Sequence, residues 1–246
     1  MFAFLKNHPF AVEAFFESSV VLTFAVPKEE LQSLIPECLT LDTFLDQWAF
    51  LAVAIVQTKD LRPKGFPALL GNDFSLTGYR IFVRYTNTNG KSLRGLYILK
   101  SETDKKKMEL FGNIFTHYKY TTTDISFSSK DGLMNIHSQI SGLNIEAEIV
   151  TEDFSLPTNS PFADWKEARK YAGPLPFTFT YDQEKKEVLL IEGVRQNWKP
   201  APLKVINYNV SFLQSLGLKN PVLANAFIIR NIPYHWRKGR IEKWKS

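Results

Sequence analysis

The chain has 246 residues, 44% hydrophobic and 22% charged, with an aromatic content of 14% dominated by 20 Phe. That composition belongs to an ordinary globular protein and excludes collagen-like, low-complexity and disordered classes. The formal charge of +5 is local: Arg230, Arg237, Lys238, Arg240, Lys243 and Lys245 face only Glu242, so the rest is neutral overall and the basic character belongs to the tail.

The elements are mostly strands. Val20 to Val26 is rich in β-branched residues and stops at Pro27, after which Leu31, Leu34 and Ile35 predict a helix over 28–35 that Pro36 closes. Trp48 to Val56 is the longest apolar run, nine residues, and reads as a strand covered on both faces. It is far short of the roughly 20 residues that span a bilayer. Residues 62–72 hold two prolines and two glycines and are expected to loop. In 79–85, Tyr79, Ile81, Val83 and Tyr85 alternate with Arg80, Phe82 and Arg84. Asn89-Gly90 then marks a hairpin turn, with a return strand over 94–102.

Thr103 is placed to cap a short helix over 104–111, with Gly112 at its exit. Strands are predicted at 117–123, 133–140 and 143–150. A second helix runs from Ser160-Pro161 to Tyr171 and ends at Gly173-Pro174. A hairpin spans 177–194, a short helical turn is expected at 212–216, and late strands cover 205–210 and 226–232. No repeat or linker divides the chain, so a single domain, 1–246, is expected, with a solvated basic tail at about 237–246. The fold class is α+β, mainly antiparallel, with closure into a β-barrel removing exposed edges.

No Walker loop, G-x-S-x-G elbow, dinucleotide fingerprint or H-E-x-x-H motif is present. His8, His117, His137 and His235 share no ligand spacing with one another or with Cys38, so neither a metal nor a cofactor is expected. A single cysteine forms no internal disulfide, Pro9 and Glu13 break any signal-like apolar patch, and the expected location is the cytoplasm. The Lys105–Lys107 run and the Glu146/Glu148 pair read as solvated. The mixture of aromatic and basic residues in 234–240 is too short, without a recognised fold around it, to predict nucleic-acid binding. No membrane contact is expected, and a homo-oligomer stays open.

Arg80 and Arg84 share a strand face with Phe82 between them. On an inner face they would bind a carboxylate or phosphate by forked hydrogen bonds. Alternation alone favours the opposite arrangement, with Tyr79, Ile81, Val83 and Tyr85 inside.

The stretch 22–48, with Val26-Pro27, Leu34-Ile35-Pro36 and Leu41-Asp42-Thr43-Phe44, resembles the opening of the YqjF-like bacterial proteins, a domain-of-unknown-function family. Arg62-Pro63-Lys64-Gly65, Arg80-Ile81-Phe82-Val83-Arg84, Gly95-Leu96-Tyr97 through Glu102-Thr103-Asp104, and Leu110-Phe111-Gly112 resemble its next blocks, and 193–202 adds a weaker match. Gly78 and Gln196-Asn197 depart from it. The family is similar in fold to acetoacetate decarboxylase, which implies a cone-like antiparallel β-barrel with an interior pocket. Decarboxylase chemistry uses a Schiff-base lysine. After the similar stretch Glu109-Leu110-Phe111-Gly112, this chain has Asn113, Ile114, Phe115 and Thr116, so that chemistry is not expected.

The resemblance turns Arg80 inward, as anchor of a small organic acid, with Arg84 and Phe82 beside it. Glu102 is then the expected partner of Arg80 by register, and Glu102 or Glu109 the acid–base group. The alternative is a non-catalytic ligand-binding or interaction protein with an aromatic-lined cavity.

Overall fold

A computed structural model describes residues 3–150, 154–171 and 175–244. Three long strands form its spine: β1 (Val12–Pro27), β3 (Trp48–Pro63) and β4 (Asn72–Thr86), with β2 (Thr40–Leu41) paired to β4. Next come β5 (Ser92–Thr103), α2 (Lys106–Phe115) and β6 (Tyr120–Thr122); α1 (Lys28–Gln32) follows β1. Strands β7 (Ser126–Lys130), β8 (Leu133–Ser138) and β9 (Leu143–Ile149) precede α3 (Trp165–Ala168). The chain continues through β10 (Phe177–Asp182), β11 (Glu187–Arg195), β12 (Ala201–Val210), α4 (Ser211–Ser215), β13 (Val222–Trp236) and β14 (Arg240–Lys243).

The architecture is α+β and mainly antiparallel; β10 and β6 each lie parallel to β5. The neighbour order β11-β10-β5-β4-β3-β1-β13 returns on itself, because Gly193, Val194 and Arg195 of β11 pair with Trp236, His235 and Tyr234 of β13. Strand β12 joins β13 at only two positions and continues into a second layer, β12-β9-β8-β7.

Both faces of the spine are buried, as the unbroken apolar run in β3 requires. Ala49, Leu51, Val53 and Ile55 point to the face covered by the second layer, where Ile136, Leu143, Ile145 and Leu203 pack. Phe50, Ala52, Ala54 and Val56 point the other way. Alanines at 52 and 54 leave room there that the Leu, Val and Ile side chains fill on the opposite face.

The hairpin after β4 is built as its residues require: Gly90 has φ +74°, and Asn87 Oδ1 accepts hydrogen bonds from the backbone of Asn89 and Lys91. Some expectations need correction. The helix predicted from Ser160-Pro161 starts only at Trp165, where the Asp164 side chain caps it by accepting from Glu167 N at 2.7 Å. Helix α2 starts and ends later than 104–111, and Gly112 lies inside it, because the Tyr120 ring packs where a Cβ would stand. The helix after Pro27 stops at Gln32. The C-terminal stretch is no solvated tail. Strand β14 pairs with β11 from Glu187↔Lys243 to Leu190↔Arg240, and Trp244 packs edge-on against Tyr181, 5.7 Å between ring centroids. The Gly173-Pro174 helix stop lies outside the described residues.

Candidate functional site

On the Ala52/Ala54 face these strands line a cavity of about 220 Å³. Each of the seven strands contributes to its wall; α2, the segment before β1, the 116–120 stretch leading into β6, and the turns carrying Leu175, Pro176 and Trp198 complete it. The surface is aliphatic and aromatic apart from a few polar groups. Among the described residues that line it there is no Asp, Glu, Lys or Cys.

Arg80 is the one arginine in that lining. It is half-buried, and its Nε is enclosed without a hydrogen-bond partner. No carboxylate contributes to its electrostatics; the groups around it are Tyr234, Tyr120 and Tyr118, and burial pulls the guanidinium below its ordinary range. Burial pushes Tyr118 up to about 12, and also raises Tyr120 and Tyr234, so all three phenols are neutral donors near neutral pH. Tyr118 Oη lies 2.6 Å from Thr178 Oγ1. A cation ringed by neutral hydroxyls and lacking an acidic partner is arranged to receive an anion.

Glycines make that ring possible. A Cβ on Gly78 would stand 2.7 Å from Arg80 Nε, and one on Gly193 would collide with the Tyr234 hydroxyl. The guanidinium therefore lies over the bare backbone of its own strand.

The predicted residues separate. Phe82 lines the cavity with Arg80, two residues along the same face. Arg84 does not, because it stands farther along β4 and is held by Asp42, Nε to Oδ1 at 2.7 Å. Arg94 shares that carboxylate at 2.6 Å, with Asp42 itself 1% exposed.

Glu102 is buried on the opposite face. Residues paired across a ladder face the same side, and Glu102 pairs with Thr77 while Ser101 pairs with Gly78. Glu102 therefore accepts from Tyr79 Oη at 2.9 Å and from Lys100 Nζ at 2.6 Å, not from Arg80. Glu109 sits on α2 outside the lining and accepts a hydrogen bond from the Thr122 hydroxyl.

Sequence reasoning missed Tyr118, Tyr120, Tyr234 and His8 as wall residues. The i, i+2 spacing of Tyr118 and Tyr120 is the only local signal, since Tyr234 and His8 arrive from opposite ends of the chain. His8 is 6% exposed, with φ +52° and its Nε2 unpartnered. Its backbone is fixed between α2 and the C-terminal segment: His8 N donates to Phe115 O at 3.2 Å and Gly239 N to His8 O at 2.8 Å. Burial lowers its pKa to about 4, leaving it neutral.

No described helix is long and apolar enough to cross a membrane, and no described cluster of His, Cys, Asp and Glu is placed to hold a metal ion.

This mainly antiparallel α+β fold is shared with solved acetoacetate decarboxylase-like structures. Acetoacetate decarboxylase from Legionella pneumophila superposes with a TM-score of 0.64 at 10% identity, covering 95% of this chain and 88% of its own. An acetoacetate decarboxylase-like enzyme from Sphingomonas wittichii RW1 gives 0.60 at 10% identity, over 98% and 94%. The enduracididine biosynthesis enzyme MppR, complexed with pyruvate, gives 0.55 at 11% identity, over 95% and 90%. Residues 14–243 match the DUF2071 model of uncharacterized conserved proteins, and the chain belongs to that family. No curated protein matches the sequence.

Proposed function

We propose that this protein is a single-domain, closed cone-like β-barrel that binds a small organic acid, with the carboxylate on Arg80. The β11–β13 pairing supports closure. The observation that carries the reading is the Arg80 guanidinium itself, turned to the cavity with no acidic partner. An unpaired charge in that position costs several kcal/mol, which a bound carboxylate offsets. A protein of the same fold has been complexed with pyruvate, so a carboxylate ligand is compatible with the fold. Tyr118, Tyr120 and Tyr234 supply hydroxyls around the anion, and Phe82 packs against its apolar body.

A specific observation favours binding without turnover. Glu102 and Glu109, the expected acid–base groups, stand outside the cavity, and no described lysine lines it. The test is calorimetric titration with octanoate, phenylpropanoate and pyruvate, followed by product analysis of each mixture. Saturable binding to wild type that is lost in Arg80→Met, without product, is expected. Equal binding by both proteins refutes the anchor, and product formation refutes the non-catalytic reading.

A further inference from the structure

We infer that the cavity's ligand is an apolar-bodied monocarboxylate carrying a second hydrogen-bonding group, a hydroxyl or carbonyl, which His8 Nε2 receives while Arg80 holds the carboxylate. The inference rests on the reading of Arg80 above.

Two polar side-chain atoms of the cavity wall are enclosed and unpartnered, Arg80 Nε and His8 Nε2. Buried polar atoms of folded proteins almost always find a partner, so two orphans on one cavity ask for a common explanation. They come from distant elements, His8 from the segment before β1 and Arg80 from the middle of β4.

His8 is also held at some cost. A non-glycine residue at φ +52° is unfavourable unless its surroundings impose it. Here the hydrogen bonds to Phe115 and from Gly239 do so. An apolar side chain at this position would avoid the orphaned nitrogen and fill the wall equally well. The imidazole is neutral because burial is the cause acting on it, with no neighbouring charge contributing. A neutral imidazole offers one donor and one acceptor, which matches a hydroxyl or carbonyl and does not match a second carboxylate.

The remaining lining sets the body of the ligand. Phe10, Phe16, Phe74, Met108 and Phe115 reward an alkyl chain or an aromatic ring. An engineered apolar cavity of about 150 Å³ takes benzene. The present 220 Å³ therefore fits a substituted ring or a medium chain rather than a two- or three-carbon acid.

The experiment is calorimetric titration of wild type, His8→Leu, His8→Gln and Arg80→Met. The probes are octanoate, phenylpropanoate, and their relatives hydroxylated at successive positions along the body. In wild type at least one hydroxyl position should improve Kd by about tenfold, the worth of one buried hydrogen bond. That gain should vanish in His8→Leu and return in part in His8→Gln, while the parent acids bind both with little change. If no position gains, or the gain survives in His8→Leu, the role of His8 is overturned and the Arg80 reading stands. If the parent acids fail to bind wild type, the Arg80 reading falls and this inference with it. Far-UV circular dichroism confirms that each variant is folded.

Discussion

Gly78 and Arg80 form a unit: the guanidinium lies where a side chain on Gly78 would stand, with Nε 2.7 Å and Nη2 2.9 Å from the position of its Cβ. Replacing Gly78 with Ala therefore moves the anchor without altering its charge. The atoms displaced are the far end of a flexible side chain, so stability should change by only about 1 kcal/mol. Octanoate affinity should fall at least about tenfold, because a forked hydrogen bond tolerates little displacement. Calorimetry with a thermal melt measures both quantities. Unchanged affinity would show that the guanidinium works from elsewhere.

Arg80→Met keeps an unbranched apolar stem on the wall and removes the charge and the forked donors. With no carboxylate paired to Arg80, no acidic group is left orphaned by the change. Chemical denaturation should give a stability equal to wild type within about 1 kcal/mol, or higher, while carboxylate binding disappears. A loss of about 3–5 kcal/mol would mean that the guanidinium holds the wall together.

Borohydride reduction in the presence of acetoacetate should leave the protein mass unchanged. Two lysines next to lining residues of β5 and β6 are occupied elsewhere or exposed: Lys100 is ion-paired with Glu102 at 2.6 Å on the other face, and Lys119 is exposed at φ +54°. A Schiff base needs a neutral, desolvated amine, which an ion-paired or solvated lysine does not offer. A trapped adduct on either residue would overturn this account.

The strands were legible because periodicity and turn chemistry are local, as 79–85 and Asn89-Gly90 illustrate. The same alternation separates Arg80 and Phe82 from Tyr79 and Ile81, but it does not say which face carries a cavity. That is decided by Ala52 and Ala54 on β3, which pair with Arg80 and Gly78 only in the folded chain, and by Gly193 on β11, which makes way for Tyr234. Glu102 was misplaced by one residue of register, and in a strand one residue is one face. Strand β14 was hidden because its four residues, Arg-Ile-Glu-Lys, carry three charges; its place on β11 comes from pairing rather than propensity.

Deletion of residues 238–246 should destabilise the protein, contrary to what a solvated tail would do. The segment pairs with β11, packs Trp244 on Tyr181, and brings Glu242 to the Tyr85 hydroxyl at 3.2 Å. Losing one large half-buried aromatic and a short ladder corresponds to about 2–4 kcal/mol. Urea unfolding of the truncated chain measures it; an unchanged midpoint and slope would return the segment to the status of an appendage.

The last expectation concerns acid. His8 titrates at about 4 in the folded chain because burial penalises its charged form, against an ordinary value of 6.5. Between those values the unfolded chain takes up a proton that the folded chain refuses. Stability therefore falls as pH drops from 6.5 towards 4, and the penalty is complete below 4. The difference corresponds to about 3 kcal/mol in full, and to nothing above pH 7, where both states are neutral at this site. Other groups titrate in the same window, so the measurement is a comparison: urea unfolding of wild type and His8→Gln at pH 7.5 and pH 4.5. Glutamine cannot take up the proton, so the variant should lose less stability on acidification, by about 2 kcal/mol or more. Equal losses in the two proteins would mean that the imidazole is solvated when folded, and His8 would then have no claim on the cavity.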